Sequence, residues 1–123
     1  MAENHDLGIK GEELALAHIR SLGYEILEKN WRFRKMEIDL IARDKKQIVF
    51  IEVKTRANNS FGKPFEFVSL SKQKLIARAA NFYLERNKIL AETRFDIISI
   101  TIQPQLELEH IEDAFYTWIL PAI

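Results

Sequence analysis

Apolar and polar positions divide the chain into segments of different period. Leu14, Ala15, Ile19 and Leu22 recur at helical spacing, which predicts a helix over Leu7–Leu22, stopped by Gly23. Tyr24–Phe33 reads as a first strand, with Tyr24, Ile26 and Glu28 on one face. Two runs rich in β-branched residues, Ile38–Ala42 and Ile48–Val53, flank the charged turn Asp44-Lys45-Lys46-Gln47 and predict a hairpin. Arg56–Phe67 holds Asn58, Asn59, Ser60, Gly62 and Pro64 and reads as a loop. Ser71–Arg86 predicts a second helix that buries Leu75, Ile76, Ala79, Phe82 and Tyr83, with Ser69 or Ser71 as its N-cap. Arg94–Ile102 is a mostly buried strand, and Leu106–Glu109 alternates as an edge strand does. A strand, a helix and another strand imply a parallel pair joined by a right-handed crossover, hence an α/β fold.

The 123 residues suit one domain spanning 1–123. Residues 1–6 are polar and expected to be disordered, and residues 116–123 form an apolar tail. That tail, with Trp118, Ile119, Leu120 and Ile123, either caps the core or docks on a second subunit. No apolar run reaches the roughly 20 residues of a membrane span, and the start lacks the apolar stretch of a signal peptide. With no cysteine, disulfides and thiolate chemistry are excluded; a cytoplasmic protein with no membrane partner is expected. Net charge is zero, yet its distribution is uneven. Lys29–Arg78 carries 13 Lys and Arg against 5 Asp and Glu, a net +8, while each flank is −4. A basic middle with acidic flanks suits a phosphate-backbone binder, or is simply a set of solvated charges.

The hairpin sits in that basic middle. A turn centred on Lys45 and Lys46 sets Arg43 opposite Ile48, Ile41 opposite Phe50 and Asp39 opposite Glu52. Carboxylates opposed across strands repel unless a proton or cation lies between them. Lys54 projects from the same face as Glu52. Two carboxylates can hold Mg²⁺ or Mn²⁺ through oxygen, and a neighbouring lysine can orient or deprotonate a water, or hold a phosphate. The plain reading of the same residues is a half-exposed strand. Around this patch, Arg32, Arg34 and Lys35 interleave with Trp31 and Phe33, a pattern that binds nucleic acid by stacking and charge. Trp31 and Phe33 also suit a core. Arg56 and Lys63 belong to a loop that rims the cleft, and Lys72, Lys74 and Arg78 cluster on the N-terminal half of the second helix. Glu12 and Glu13 suit the first helix's positive end, and Gly11 permits close approach to a strand. Asp96 is either structural or a partner of Lys54 or Arg56. His5, His18 and His110 have no metal-ligand spacing, and no phosphate-binding glycine loop or nucleophile elbow is present.

Asp39 with Glu52-Val53-Lys54 resembles the PD-(D/E)xK nuclease signature. The chain as a whole resembles the small uncharacterised YraN family, whose members look like archaeal Holliday junction resolvases. The matching pieces are Gly8-x-x-Gly11-Glu12, Asn30-x-Arg32, Glu37 to Ile41, Val49 to Arg56, Arg94-Phe95-Asp96 and Asp113-Ala114-Phe115. Met36 departs from the pattern, where the family has glycine. The resemblance implies a restriction-endonuclease-like fold, with a mixed sheet of four or five strands between helices. It implies Mg²⁺ or Mn²⁺ held by Asp39, Glu52 and the Val53 carbonyl, with Lys54 on the attacking water. Glu12 is then a further acid near the metal, and Gln73 a second-helix residue beside it. The implied activity is phosphodiester hydrolysis of DNA, branched or unpaired, by an enzyme that can work as a homodimer. Two other classes fit the residues: a non-catalytic nucleic-acid-binding protein on the same scaffold, and a protein-interaction domain with no affinity for Mg²⁺.

Overall fold

The structure, a computed structural model, describes residues 2–58 and 68–115. Helix α1 (Ala2–Ser21) is followed by strands β1 (Glu25–Phe33), β2 (Met36–Asp44) and β3 (Gln47–Arg56). Helix α2 (Leu70–Arg86) then leads to β4 (Glu92–Thr101) and β5 (Glu107–Ile111). The five strands form one sheet in chain order. β1, β2 and β3 are an antiparallel meander, β4 pairs parallel to β3, and β5 returns antiparallel on β4. The fold is therefore α/β with an open mixed sheet and two helices, consistent with the restriction-endonuclease-like class. The central position of the β3–β4 pair follows from α2, since a parallel connection needs a crossover of this length. No helix among the described residues is long and apolar enough to cross a membrane.

The faces of the sheet are covered by different helices. On one face Ala15 and Ile19 of α1 pack with Leu40, Ala42, Val49, Ile51, Ile98 and Ile100. On the other, Ile76, Ala79, Ala80 and Tyr83 of α2 pack with Ile41, Ile48, Phe50, Phe95 and Ile97. Trp31 and Phe33 are half-buried against this second cluster, so they serve the core. Successive residues of β3 alternate between the clusters until Ile51, after which the strand is only half-buried to Arg56. β3 thus leaves the core at Glu52.

Several boundaries differ from those read off the apolar spacing. α1 begins at Ala2 rather than Leu7, because no proline or glycine in Ala2–Asp6 interrupts it. Ser69 is the N-cap of α2, its hydroxyl accepting from the Lys72 amide at 3.1 Å. Leu75 lies outside the buried stripe of α2 and is 50% exposed. β1 contains an extra residue: Ile26 pairs with Ala42 and Glu28 with Ile41, leaving Leu27 unopposed. Such a bulge moves the later residues of the strand to the opposite face. Glu28 therefore leaves the face of Ile26 and accepts a hydrogen bond from the Tyr83 hydroxyl of α2 at 3.4 Å.

Gly11 is the point where α1 meets β3. A Cβ placed on it would lie 1.8 Å from Thr55 Oγ1 and 2.9 Å from Thr55 Cβ. The close approach read from the sequence is real, and it fixes the distance between the helix and the open end of the strand. Gly11→Ala is expected to lower stability by about 1–3 kcal/mol, the usual cost of overpacking. Combining it with Thr55→Gly, which removes the clashing atoms, should recover part of that loss in urea unfolding.

Candidate metal and nucleic-acid site

From the turn to Leu40 the hairpin register is the expected one, and the expected Asp39–Glu52 pair is not part of the ladder. Asp44 pairs with Gln47, Arg43 with Ile48, Ile41 with Phe50 and Leu40 with Ile51. Lys45 turns the chain with φ 58°. Beyond Leu40 the ladder changes. Instead of continuing the strand pairing, the Asp39 carboxylate accepts the Val53 amide at 2.7 Å. On the other side of β2, Lys29 pairs with Leu40 and Trp31 with Ile38, so Asn30 lies across from Asp39. Asn30 has a left-handed backbone, φ 51°, a conformation asparagine tolerates better than most residues. Ile38 packs in the α2 cluster and Leu40 in the α1 cluster, so the strict alternation of β2 breaks at Asp39. The aspartate's side chain takes the place of a backbone group between two strands.

Three carboxylates gather here. Oxygens of Glu12 from α1 and of Glu37 and Asp39 from β2 lie within 4.8 Å of one another, and each residue is half-buried. With its nitrogen turned toward the acids, the Asn30 amide donates to Glu12 Oε1 at 3.1 Å and Glu37 Oε1 at 3.3 Å. Arg32 pairs with Glu37 at 3.0 Å. Glu12 also forms a wall shared by two shallow cavities. One, about 200 Å³, includes Lys29, Asn30 and Asp39; the other, about 330 Å³, includes Gly8, Val53 and Lys54.

Glu52 emerges on the α2 side. Lys72 of α2 donates to its Oε1 at 3.1 Å, and Lys54 lies 3.7 Å from the same oxygen. Asp39 feels Glu52 strongly enough to be perturbed by it. Burial, then the Glu52 charge, push the Asp39 carboxyl up to about 7, with Glu12 and Glu37 adding to the effect and the Val53 amide opposing it. Burial also draws the Lys54 ammonium below its ordinary value, and the adjacent Lys72 draws it further, against the attraction of Glu52. Lys72 goes the other way. Burial would lower it, but the ion pair and hydrogen bond to Glu52 outweigh that and hold it above the ordinary value. The difference follows the geometry, because Lys72 is the closer of the two to Glu52.

The donor set suits a hard divalent cation. Carboxylate oxygens match Mg²⁺ or Mn²⁺, and among the described residues neither histidine nor cysteine belongs to the cluster. In the sequence, Glu37 and Asn30 stand only as parts of matched segments. The Glu37-x-Asp39 spacing does not by itself put two acids together, because alternate residues share a face in most strands without meeting a third acid. The fact that Asn30 lies across from Asp39 depends on the β1 bulge.

Other expected residues fall differently. Lys72, expected at a phosphate, is occupied by Glu52. Gln73 is turned from the acids, its amide donating to the Val68 carbonyl at 3.0 Å and securing the start of α2. Asp96 is not a partner of Lys54 or Arg56. Register places Lys54 beside Ser99, and Asp96 is fully buried among its own partners. Arg94 grips it through two hydrogen bonds of 2.9 and 2.8 Å, His110 bonds it at 2.7 Å, and the Asp113 amide donates at 3.0 Å. Burial alone would raise this carboxyl, but these hydrogen bonds outweigh it and hold Asp96 below its usual range. Arg34 and Lys35 lie at the β1–β2 turn, with the Arg34 guanidinium 5.3 Å from the Phe33 ring centre. Lys74 is exposed on α2, and Arg56 ends β3 with its carbonyl accepting the Ile102 amide at 3.0 Å. Lys63 and the apolar tail at 116–123 lie outside the described residues.

The chain is thus an α/β protein whose open mixed sheet is consistent with a restriction-endonuclease-like architecture, with an acidic cluster and two lysines at the free end of its central hairpin. Its family is defined by sequence. The model of the uncharacterised protein family UPF0102 matches residues 11–100, and the chain belongs to that family. A UPF0102 protein of Flavobacterium psychrophilum is 45% identical over 117 residues, covering 94% of this chain and 98% of that one. One from Geobacter metallireducens is 47% identical over 114 residues, covering 91% and 93%, and one from Chlorobium chlorochromatii is 42% identical over 118, covering 90% and 92%. The resemblance to the YraN-type proteins is thereby borne out, and the matched range includes Glu12, Asp39, Glu52 and Lys54.

The sign of the Asp39 shift yields a prediction. Its folded value of about 7 exceeds the ordinary 3.8, so the folded state binds the extra proton between those values. Stability then falls as pH rises through that window, and the full cost is present above it. Without divalent metal, Asp39→Asn should melt higher than wild type above pH 7, by on the order of 2 kcal/mol. The gain should fade as pH drops toward 3.8 in thermal melts. Asparagine keeps an oxygen for the Val53 amide, so the comparison isolates the charge.

Proposed function

We propose that this protein is a divalent-metal-dependent endonuclease of the PD-(D/E)xK type, hydrolysing phosphodiester bonds of DNA. The observation that carries the reading is Asp39 itself, a carboxylate with oxygens of Glu12 and Glu37 within 4.8 Å and the Glu52 charge acting on it, at the free end of a strand pair. A fold gains nothing from that repulsion, whereas a cation offsets it. Asp39 and Glu52, with the Val53 carbonyl, would hold Mg²⁺ or Mn²⁺, and Glu12 and Glu37 would lie beside it. When bound, the ion would lower the pKa of a coordinated water and neutralise charge on the scissile phosphate.

The chain's own groups have distinct tasks in this reading. The Val53 amide holds Asp39 in one orientation, so the carboxylate need not be ordered again for each turnover. Asn30 does the same for Glu12 and Glu37. Lys54, half-buried and 3.7 Å from Glu52, would orient the attacking water or hold an oxygen of the scissile phosphate. Lys72 neutralises Glu52 in the resting protein and would shift to a phosphate oxygen of the substrate once a cation engages that carboxylate. The basic segment between Lys29 and Arg78 supplies backbone attraction despite a net charge of zero. Branched or unpaired DNA is the expected substrate, and a dimer would permit paired cuts.

The test is cleavage of labelled single-stranded, duplex, flapped and four-way DNA with Mg²⁺ or Mn²⁺. Cutting is expected with metal only, and Asp39→Asn, Glu52→Gln and Lys54→Met should each reduce it at least about a hundredfold. Salt-sensitive binding without cutting, equal in wild type and Glu52→Gln, would instead identify a non-catalytic nucleic-acid-binding protein.

A further inference from the structure

The turn between β1 and β2 and the exposed side of α2 enclose a groove that the cleavage site does not use. It has a volume of about 350 Å³ and is lined by Phe33, Arg34, Lys35, Met36, Leu75 and Arg78. That volume lies in the range of sites for small organic molecules, roughly 300–1,000 Å³. Its floor is apolar and firmly built. The Phe33 ring packs on Phe82 with centroids 4.2 Å apart and runs parallel to Trp31, which in turn meets Tyr83 edge-on. Leu75, predicted to be core, is half exposed at this groove instead.

Among the described residues, the rim carries three cations and no carboxylate. Among the described residues, Arg34, Lys35 and Arg78 form no ion pair, whereas Arg32, Lys54 and Lys72 nearby are all paired with acids. The groove lies one residue along β2 from Glu37 and one helical turn along α2 from Lys72. Met36 immediately precedes Glu37 in β2. Leu75 follows Lys72, the partner of Glu52, by three residues, about 4.5 Å along the helix axis. An occupant must therefore offer a flat apolar body and carry negative charge at its edges. A nucleotide meets both demands, its base supplying the flat body and its phosphates repeating the charge on either side.

We propose that this groove receives one unpaired base of the DNA, with Arg34, Lys35 and Arg78 on the phosphates beside it and the neighbouring backbone led toward Glu52 and Asp39. The proposal rests on the nuclease reading and deepens it. The groove selects DNA in which a base has left the stack, because a paired base cannot reach it without the cost of unstacking.

The test is equilibrium binding of the full chain, in chelator so that no strand is cut. The probes are a short fully paired duplex, the same duplex with one unpaired adenosine, and the same with an abasic site in its place. Wild type should bind the adenosine probe at least about fivefold more tightly than the abasic one, the scale of a single stacked base. Leu75→Ser should bring that ratio close to one with abasic binding unchanged; Leu75 is exposed, so folding should survive. Arg78→Gln should weaken all three probes alike and flatten their salt dependence. Equal, salt-sensitive binding of adenosine and abasic probes by wild type would overturn the base-binding groove and leave the nuclease reading standing. Absence of salt-sensitive binding to every probe would remove the nuclease reading and the groove with it.

Discussion

Asp39 accepts the Val53 amide at 2.7 Å, and the open end of the sheet is arranged around that hydrogen bond. In an uninterrupted hairpin the amide would pair with backbone or with solvent. Here a carboxylate occupies the position, which separates the strands, breaks the alternation of β2 and turns the aspartate into the sheet's margin. Glu12 reaches the same point because Gly11 lets α1 rest against Thr55. Asn30 reaches it because β1 is bulged at Leu27 and left-handed at Asn30. Helix, bulge and hairpin therefore converge on one carboxylate whose burial and charged neighbours disfavour its ionisation.

That arrangement opposes stability locally, and the rest of the molecule supplies what it lacks. The apolar clusters on the two faces of the sheet are continuous and dry, with Ile41, Ile48, Ile98 and Ile100 wholly buried. On the side away from the acids, Arg94 and His110 clamp Asp96, and the Tyr24 hydroxyl accepts from Arg94 at 2.7 Å. His18 and His110 lie 3.1 Å apart, and burial followed by the nearness of His110 lowers the His18 pKa. If His110 donates Nε2–H to Asp96, its Nδ1 is left to accept from His18, so one tautomer satisfies the whole chain. The polar groups of this second network are matched donor to acceptor. Those around Asp39 are mostly acceptors, a set that the proposed cation would complete.

Periodicity in the sequence carries the architecture well. β-branched runs define β2, β3 and β4, and the symmetric turn at Lys45 and Lys46 sets the register that brings Asp39 toward Glu52. Short-range pattern cannot carry the bulge at Leu27, since an added residue leaves the composition of a strand unchanged while moving Glu28 across the sheet. Nor can it assign Lys72, whose place on a basic helix face suggests a phosphate contact until α2 is docked beside Glu52. Asp96 escapes assignment for a similar reason. Its strand neighbours are visible in the sequence, but His110, which bonds it, arrives from β5 on the far edge. Leu75 has helical core spacing, yet the turn at Arg34 and Lys35 stops short of covering it. Elements are legible because they depend on neighbours in sequence, whereas the site depends on irregularities and on which element faces which.

On the proposed reading, the acids around Asp39 hold a divalent cation. Calorimetric titration with Mn²⁺, on either side of the Asp39 value of about 7, tests it directly. A metal ligand must be deprotonated, so binding below that value should be weaker and should release a proton, and binding above it tighter with little release. Asp39→Asn should abolish both the binding and the proton release. No binding at either pH, or binding that Asp39→Asn leaves unchanged, would contradict the account.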